Sequence, residues 1–240
     1  MADGFAALRA RAEKRKGGAA ALAELLPAFV VNGALATMSD ERVLAGMTRR
    51  IFCAGFVWRV IDQKWPGFEE AFLGFSPQRL AFEPDEFWER LASDARIVRH
   101  GAKIAAVREN ALFVRRIAAE RGSFGRLLAD WPADDEIGLL AFLAKKGARL
   151  GGMTGQYFLR FIGWDAFILS RDVAAALREA GVELSEKANS KRDLAAVQAT
   201  FSGWARETGL GYAQLSRICA MSAGENYDAA TLLQRMHGED

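Results

Sequence analysis

Residues 150–157 read LGGMTGQY, and how this stretch is read decides the fold. It lies between a basic segment, FLAKKGAR (142–149), and an apolar one, YFLRFIGWDAF (157–167). Both flanks repeat their apolar residues at the three- and four-residue spacing of an amphipathic helix. Gly147 is placed to end the first helix, since glycine tolerates the left-handed backbone of a C-terminal cap. Gly151 and Gly152 allow unusual φ values and close backbone approach. The amides around Met153 to Gln156 then open the second helix, and unpaired N–H groups at a helix start attract an anion. Two readings follow. The stretch is either a plain connection between helices or a turn that holds a phosphate, with Lys145, Lys146 and Arg149 adding attraction.

Outward from this turn the same spacing continues along the chain, and alternating strand patterns are nearly absent. The expected fold is all-α, with about ten short helices. Ser39 suits the N-cap of a helix that begins DERVLAG, with acids in the first turn where the helix dipole favours them. Gly55 divides this run from the next helix, and Pro66–Gly67 is expected to end that one. Pro84 fits the first position of the helix PDEFWERLAS (84–93). The first sixteen residues, MADGFAALRARAEKRK, are basic and weakly amphipathic, and read as a frayed helix or a basic arm. These features divide the chain into an N-terminal helical extension, 1–38, and one domain, 39–240, with a helical hairpin at about 141–162.

Composition excludes several classes. Of 240 residues, 51% are apolar and 26% charged, as in ordinary globular proteins, and the net charge is only +2. Charge alone therefore makes no case for nucleic acid. Apolar runs such as AAALAELLPAFVV (19–31) are too short to span a bilayer, and no signal-peptide core is visible. The expectation is a cytoplasmic protein without a membrane partner. Cys53 and Cys219 read as buried free thiols. His100, His237, Cys53 and Cys219 make four zinc-type ligands, yet no two are close in sequence, so no metal is expected. No cofactor motif, Walker-type loop or nucleophile elbow is present. Among six tryptophans, Trp58 follows the Ala54–Gly55 break; it reads either as core or as a surface for stacking a flat base.

IVRHGAKIAAVRENA (97–111) resembles the motif of the DNA-3-methyladenine glycosylase I family, a branch of the helix-hairpin-helix DNA glycosylases. The resemblance runs from about Ser39 to Trp131, through AGFVW (54–58), FEEAF (68–72) and FSPQRL (75–80). It resumes at KKGARLGGMTGQYF (145–158). It implies an all-α fold whose hairpin is the opening stretch. The implied activity is hydrolysis of the N-glycosidic bond of an alkylated adenine flipped from double-stranded DNA, by a monomer. Trp58 would stack on the flipped base, with Arg50 and Tyr157 near it. Gly55 and Phe56 would approach the gap in the duplex, Phe56 as an apolar wedge. Arg99 and Lys103 would contact phosphates, a buried ion pair being the other reading of Arg99. Gly151, Gly152, Thr154 and Gly155 would hold the DNA backbone.

The chain departs from the family in three places. Where the family carries a base-recognising glutamate, four residues before Ala54, this chain has Arg50. The family's zinc ligands are missing. The wider superfamily has a catalytic aspartate where Ser170 stands here, and Asp172 follows two residues on. Asp172 is either that carboxylate, displaced, or an acid that stabilises a helix start. Arg50 also favours a second function, that of a damaged-DNA binder without catalysis.

Overall fold

The computed structural model describes residues 2–28, 32–228 and 231, and every regular element among them is helical. The helices are α1 (Ala2–Lys16), α2 (Ala19–Glu24), α3 (Asp40–Cys53), α4 (Trp58–Ala71), α5 (Pro77–Leu80) and α6 (Asp85–Leu91). There follow α7 (Gly101–Arg121), α8 (Phe124–Asp130), α9 (Glu136–Lys146), α10 (Met153–Ile162), α11 (Arg171–Glu179), α12 (Lys191–Thr208) and α13 (Tyr212–Ser222). Short 3-10 turns lie at Asn32–Thr37 and Leu73–Phe75.

The chain forms two compact units. One contains Met1–Val31, Pro132–Gly138 and Asp165–His237; the other contains Asn32–Trp131 and Leu139–Trp164. By contacts, the chain from Asp165 onward groups with the N-terminal helices, and residues 32–38 group with the helices that follow them. Shared burial is the reason. Phe5, Leu8 and Ala12 of α1, Val173 and Leu177 of α11, Phe201 and Trp204 of α12 and Ile218 of α13 occupy one core. Each of these helices has an apolar face that must be covered, and they cover one another.

The first helix is docked, not frayed. Arg11 donates from Nε to the Ser222 carbonyl at 2.7 Å. Arg15 reaches the Ser222 and Gly224 carbonyls at 3.1 and 2.7 Å, and Lys16 reaches Tyr227 O at 2.6 Å. These cations satisfy carbonyls at and beyond the end of α13, where helix geometry leaves them without partners. The basic face of α1 is spent inside its own unit.

The second unit is built around α3. Ser39 caps it as expected, its Oγ accepting from the Arg42 amide at 3.3 Å. Val43, Leu44, Met47 and Ile51 bury the inner face. Pro66 does not end α4, which runs on to Ala71. Trp65, Phe68, Phe72 and Phe75 form a ladder of rings with centroids 5.2–6.0 Å apart. Packing of such rings outweighs the single helical bond that a proline removes. Pro84 is the N-cap of α6, one residue before its expected place.

Candidate nucleic-acid interface

Helix α3 ends at Cys53, and a four-residue turn leads to Trp58 at the start of α4. Gly55 takes φ +78° there, a conformation L-residues rarely adopt. The turn holds Phe56 outward, 39% exposed, with Val57 and Val60 also exposed beside it. A large apolar side chain held out of the core on a tight turn has the shape of a wedge.

Lys103 fixes this turn. It was expected at a phosphate, but it is only 4% exposed. Its Nζ donates to the carbonyls of Phe52 and Ala54, at 3.0 and 2.5 Å, and lies 4.4 Å from the Phe56 ring centroid. Helix ends leave carbonyls unpaired, and a buried ammonium satisfies two of them here. Burial lowers its pKa from the ordinary lysine value, and nearby Arg149 lowers it further. Lys103 is a positioning residue for Phe56. Arg99, by contrast, is exposed in the loop before α7, which rules out its reading as a buried ion pair.

One turn back along α3, Arg50 is 7% exposed. Its guanidinium carbon lies 4.8 Å from the Trp58 ring centroid and 4.1 Å from that of Phe161. Trp58 meets Tyr157 edge-on at 5.3 Å and Phe161 at 5.7 Å. Three rings and a guanidinium therefore form one nest, with Trp58 and Tyr157 half-buried and Phe161 47% exposed. Arg50 meets no carboxylate in this nest. Asp62, the nearest acid along the neighbouring helix, bonds Arg49 at Nε, 3.1 Å. Buried Nη1 of Arg50 has no hydrogen-bond partner among the described residues. Burial lowers the Arg50 guanidinium from its ordinary value, although arginine stays charged in proteins.

Tyr157 and Phe161 come from α10, the second helix of the hairpin. Gly147 donates to Leu143 O at 2.9 Å, but the left-handed backbone falls on Arg149 and Gly152, φ +56° and +58°, not on Gly147. Gly147 is instead confined by space, since a Cβ there would stand 2.6 Å from the Leu150 side chain. The turn is gripped by Asn110 of α7, fully buried. Asn110 Oδ1 accepts from Ala148 N at 2.8 Å and its Nδ2 donates to Ala148 O at 3.0 Å. At Gly155 a Cβ would come within 2.4 Å of Leu150 O, so only glycine lets α10 start this close to the turn. Gly151 and Gly152 are exposed and Thr154 half-buried. The first amides of α10, at Met153 to Gly155, have no acceptor within the helix. Lys145, Lys146 and Arg149 are exposed around them, Arg149 also donating to Ala102 O at 3.2 Å.

The structure thus brings together the Ala54–Trp58 turn, the Arg99–Lys103 segment and the 147–161 hairpin. Ser170 and Asp172 lie in the compact unit that does not contain Trp58, Arg50 and Tyr157. Ser170 is the N-cap of α11, its side chain accepting from Val173 N at 3.2 Å, and Asp172 sits exposed in the first turn. These are the positions of the helix-start reading. No cluster of three or more metal-ligating side chains occurs among the described residues, and His237 lies outside them.

Sequence reasoning missed two contributors, Phe161 and Asn110, and gave Lys103 a different role. Phe161 follows Tyr157 by four residues, a spacing that puts both on one helix face, so its signal was present. The roles of Asn110 and Lys103 carried no local signal, because each depends on a carbonyl or amide about forty to fifty residues away.

Residues 34–138 match the family model described as methyladenine glycosylase. That span includes Arg50, Gly55, Phe56, Trp58, Arg99 and Lys103; the hairpin lies beyond it. No curated protein matches the chain. Among solved structures, a variant of 3-methyladenine DNA glycosylase I from Staphylococcus aureus is 25% identical, with a TM-score of 0.47, covering 52% of this chain and 78% of that one. A crystal structure of 3-methyladenine DNA glycosylase I is 23% identical, with a TM-score of 0.46, covering 52% and 80%. Residues 34–138, the stretch that builds the wedge turn and contributes Arg50 and Trp58, are thus similar to the methyladenine glycosylase family.

Proposed function

We propose that the protein is a DNA base-excision glycosylase that hydrolyses the N-glycosidic bond of an alkylated adenine flipped out of duplex DNA. The observation that carries this reading is the placing of an exposed wedge, Phe56, on the turn that leads directly into the Trp58 nest. A wedge that enters the duplex displaces a nucleotide, and an adjacent aromatic surface receives it. Phe161, the most exposed ring of the nest, is the side chain whose movement admits the base. Tyr157 lines the same place from α10. The open amides of Met153 to Gly155, with Lys145, Lys146, Arg149 and Arg99, hold the phosphates on either side.

Hydrolysis needs the base held, the bond to C1′ weakened and water admitted. Stacking on Trp58 fixes the base outside the helix, where the bond is no longer shielded by its neighbours. Water adds its hydroxyl to C1′ as the base leaves, and its proton ends on the base. The test is incubation of the full chain with methylated duplex DNA and chromatography of released bases. Release of alkylated adenine, lost in Trp58→Ala while the fold persists, is the expected result. Tight binding to an abasic-site duplex with no base released from any alkylated duplex would instead mean a binder without catalysis.

A further inference from the structure

We infer that Arg50 makes the nest selective for an uncharged alkylated adenine that presents a hydrogen-bond acceptor, over the cationic 3-methyl form. The inference rests on the reading of the Trp58 nest as a base pocket and narrows its substrate.

Three observations carry it. Arg50 is more than nine-tenths buried, and Nη1 has no partner among the described residues. The guanidinium stands against the faces of Trp58 and Phe161, the surfaces on which a base would stack. No carboxylate in the nest offsets its charge, since the Asp62 carboxylate is bonded by Arg49. An arginine with a purely structural duty would be expected to spend its donors on carbonyls or carboxylates, as Arg11 and Arg96 do in this chain. A buried donor left open is satisfied when a ligand brings an acceptor.

Charge then decides between substrates. A 3-alkylated adenine is a cation, and a fixed guanidinium beside it raises the energy of the bound state. An uncharged adduct suffers no such repulsion. When its glycosidic bond breaks, the electron pair stays with the base, which gains negative charge on its ring nitrogens. The Arg50 N–H donates a hydrogen bond to that charge without giving up its proton. The water oxygen bonds to C1′, and one water proton ends on the departing base. A donor aimed at developing charge stabilises the transition state more than the ground state. Arg50 thereby supplies to a poor leaving group the help that a cationic base does not need.

The experiment compares two duplexes of one sequence under single-turnover conditions with the full chain. One carries a single 1,N6-ethenoadenine, which is uncharged at neutral pH; the other is methylated to contain 3-methyladenine. Each release rate is divided by the spontaneous release of the same base. The expected enhancement is roughly tenfold to a hundredfold greater for the etheno base, the range of one charge-assisted hydrogen bond. Arg50→Glu reverses the order and Arg50→Lys keeps it. Should Arg50→Glu fail to fold by thermal melting, Arg50→Gln carries the test, with the two enhancements expected to converge. Greater enhancement for 3-methyladenine in the unaltered protein, or an order unchanged in Arg50→Glu or Arg50→Gln, overturns the inference and leaves the glycosylase reading standing. Release of neither base overturns both.

Discussion

Arg50 keeps a charge where solvent barely reaches, and its Nη1 has no partner among the described residues. Two cation–π contacts return about 1–2 kcal/mol each, against an effective penalty of several kcal/mol for taking an ion out of water. Desolvation wins, and the direction of its acidity shift agrees, burial being the largest cause. A side chain held at a net loss of stability marks function more often than architecture. Arg50→Met keeps the length, fills the same space between Trp58 and Phe161 and removes the unpaired donor. It should raise the unfolding free energy by about 1–3 kcal/mol, seen as a higher urea midpoint at unchanged slope. The same variant should lose selectivity among bases. A lowered midpoint would mean that the cation–π contacts, and not the missing partner, dominate at this residue.

At the scale of elements, two clamps set what moves and what does not. Lys103 joins the start of α7 to the end of α3 through the Phe52 and Ala54 carbonyls. In Lys103→Met both carbonyls lose a charged donor inside the protein, at a cost of about 2–4 kcal/mol. Phe56 should become mobile with it, read as faster hydrogen exchange at Ala54 to Val57 and slower flipping of a fluorescent base. The second clamp closes the loop between α11 and α12. Asp193 accepts from Ser185 N and Oγ at 2.9 and 2.6 Å and from Ser190 N and Oγ at 3.0 and 2.7 Å. The Ser185 hydroxyl and amide, with those of Ser190, hold its carboxyl well below the usual aspartate range. Because the folded value is depressed, its contribution is complete above the unfolded value of about 4 and is lost as pH falls below it. Asp193→Asn should therefore be less stable than the unaltered protein at pH 7. Between about pH 4 and pH 2 it should lose less of its remaining stability, which urea titrations at each pH would reveal.

For the whole molecule, the all-α class, the Ser39 cap, the Gly55 break and the hairpin were legible, because each rests on spacing within a few residues. Trp58, Arg50 and Tyr157 were legible as a group only through the family resemblance, since no local pattern ties α3 to α10. The division into two units was not legible. It depends on α1 meeting α11 to α13 across most of the chain, and apolar spacing says which face is buried without saying against what. Charge behaves in the same way. A net charge of +2 gives no general attraction to DNA, and many arginines are already committed, Arg11 and Arg15 to the end of α13 and Arg49 to Asp62. Among the described residues, the exposed cations around the hairpin and the loop before α7 include Arg99, Lys145, Lys146 and Arg149. If these four meet phosphates, the logarithm of affinity for an abasic-site duplex should fall against the logarithm of salt with a slope of about −3 to −4. Arg99→Ala should reduce the slope by about one, whereas Lys103→Met, whose ammonium is already occupied by carbonyls, should leave it unchanged. A slope near −8 would mean that basic residues outside this face carry the duplex, and the hairpin would no longer define its path.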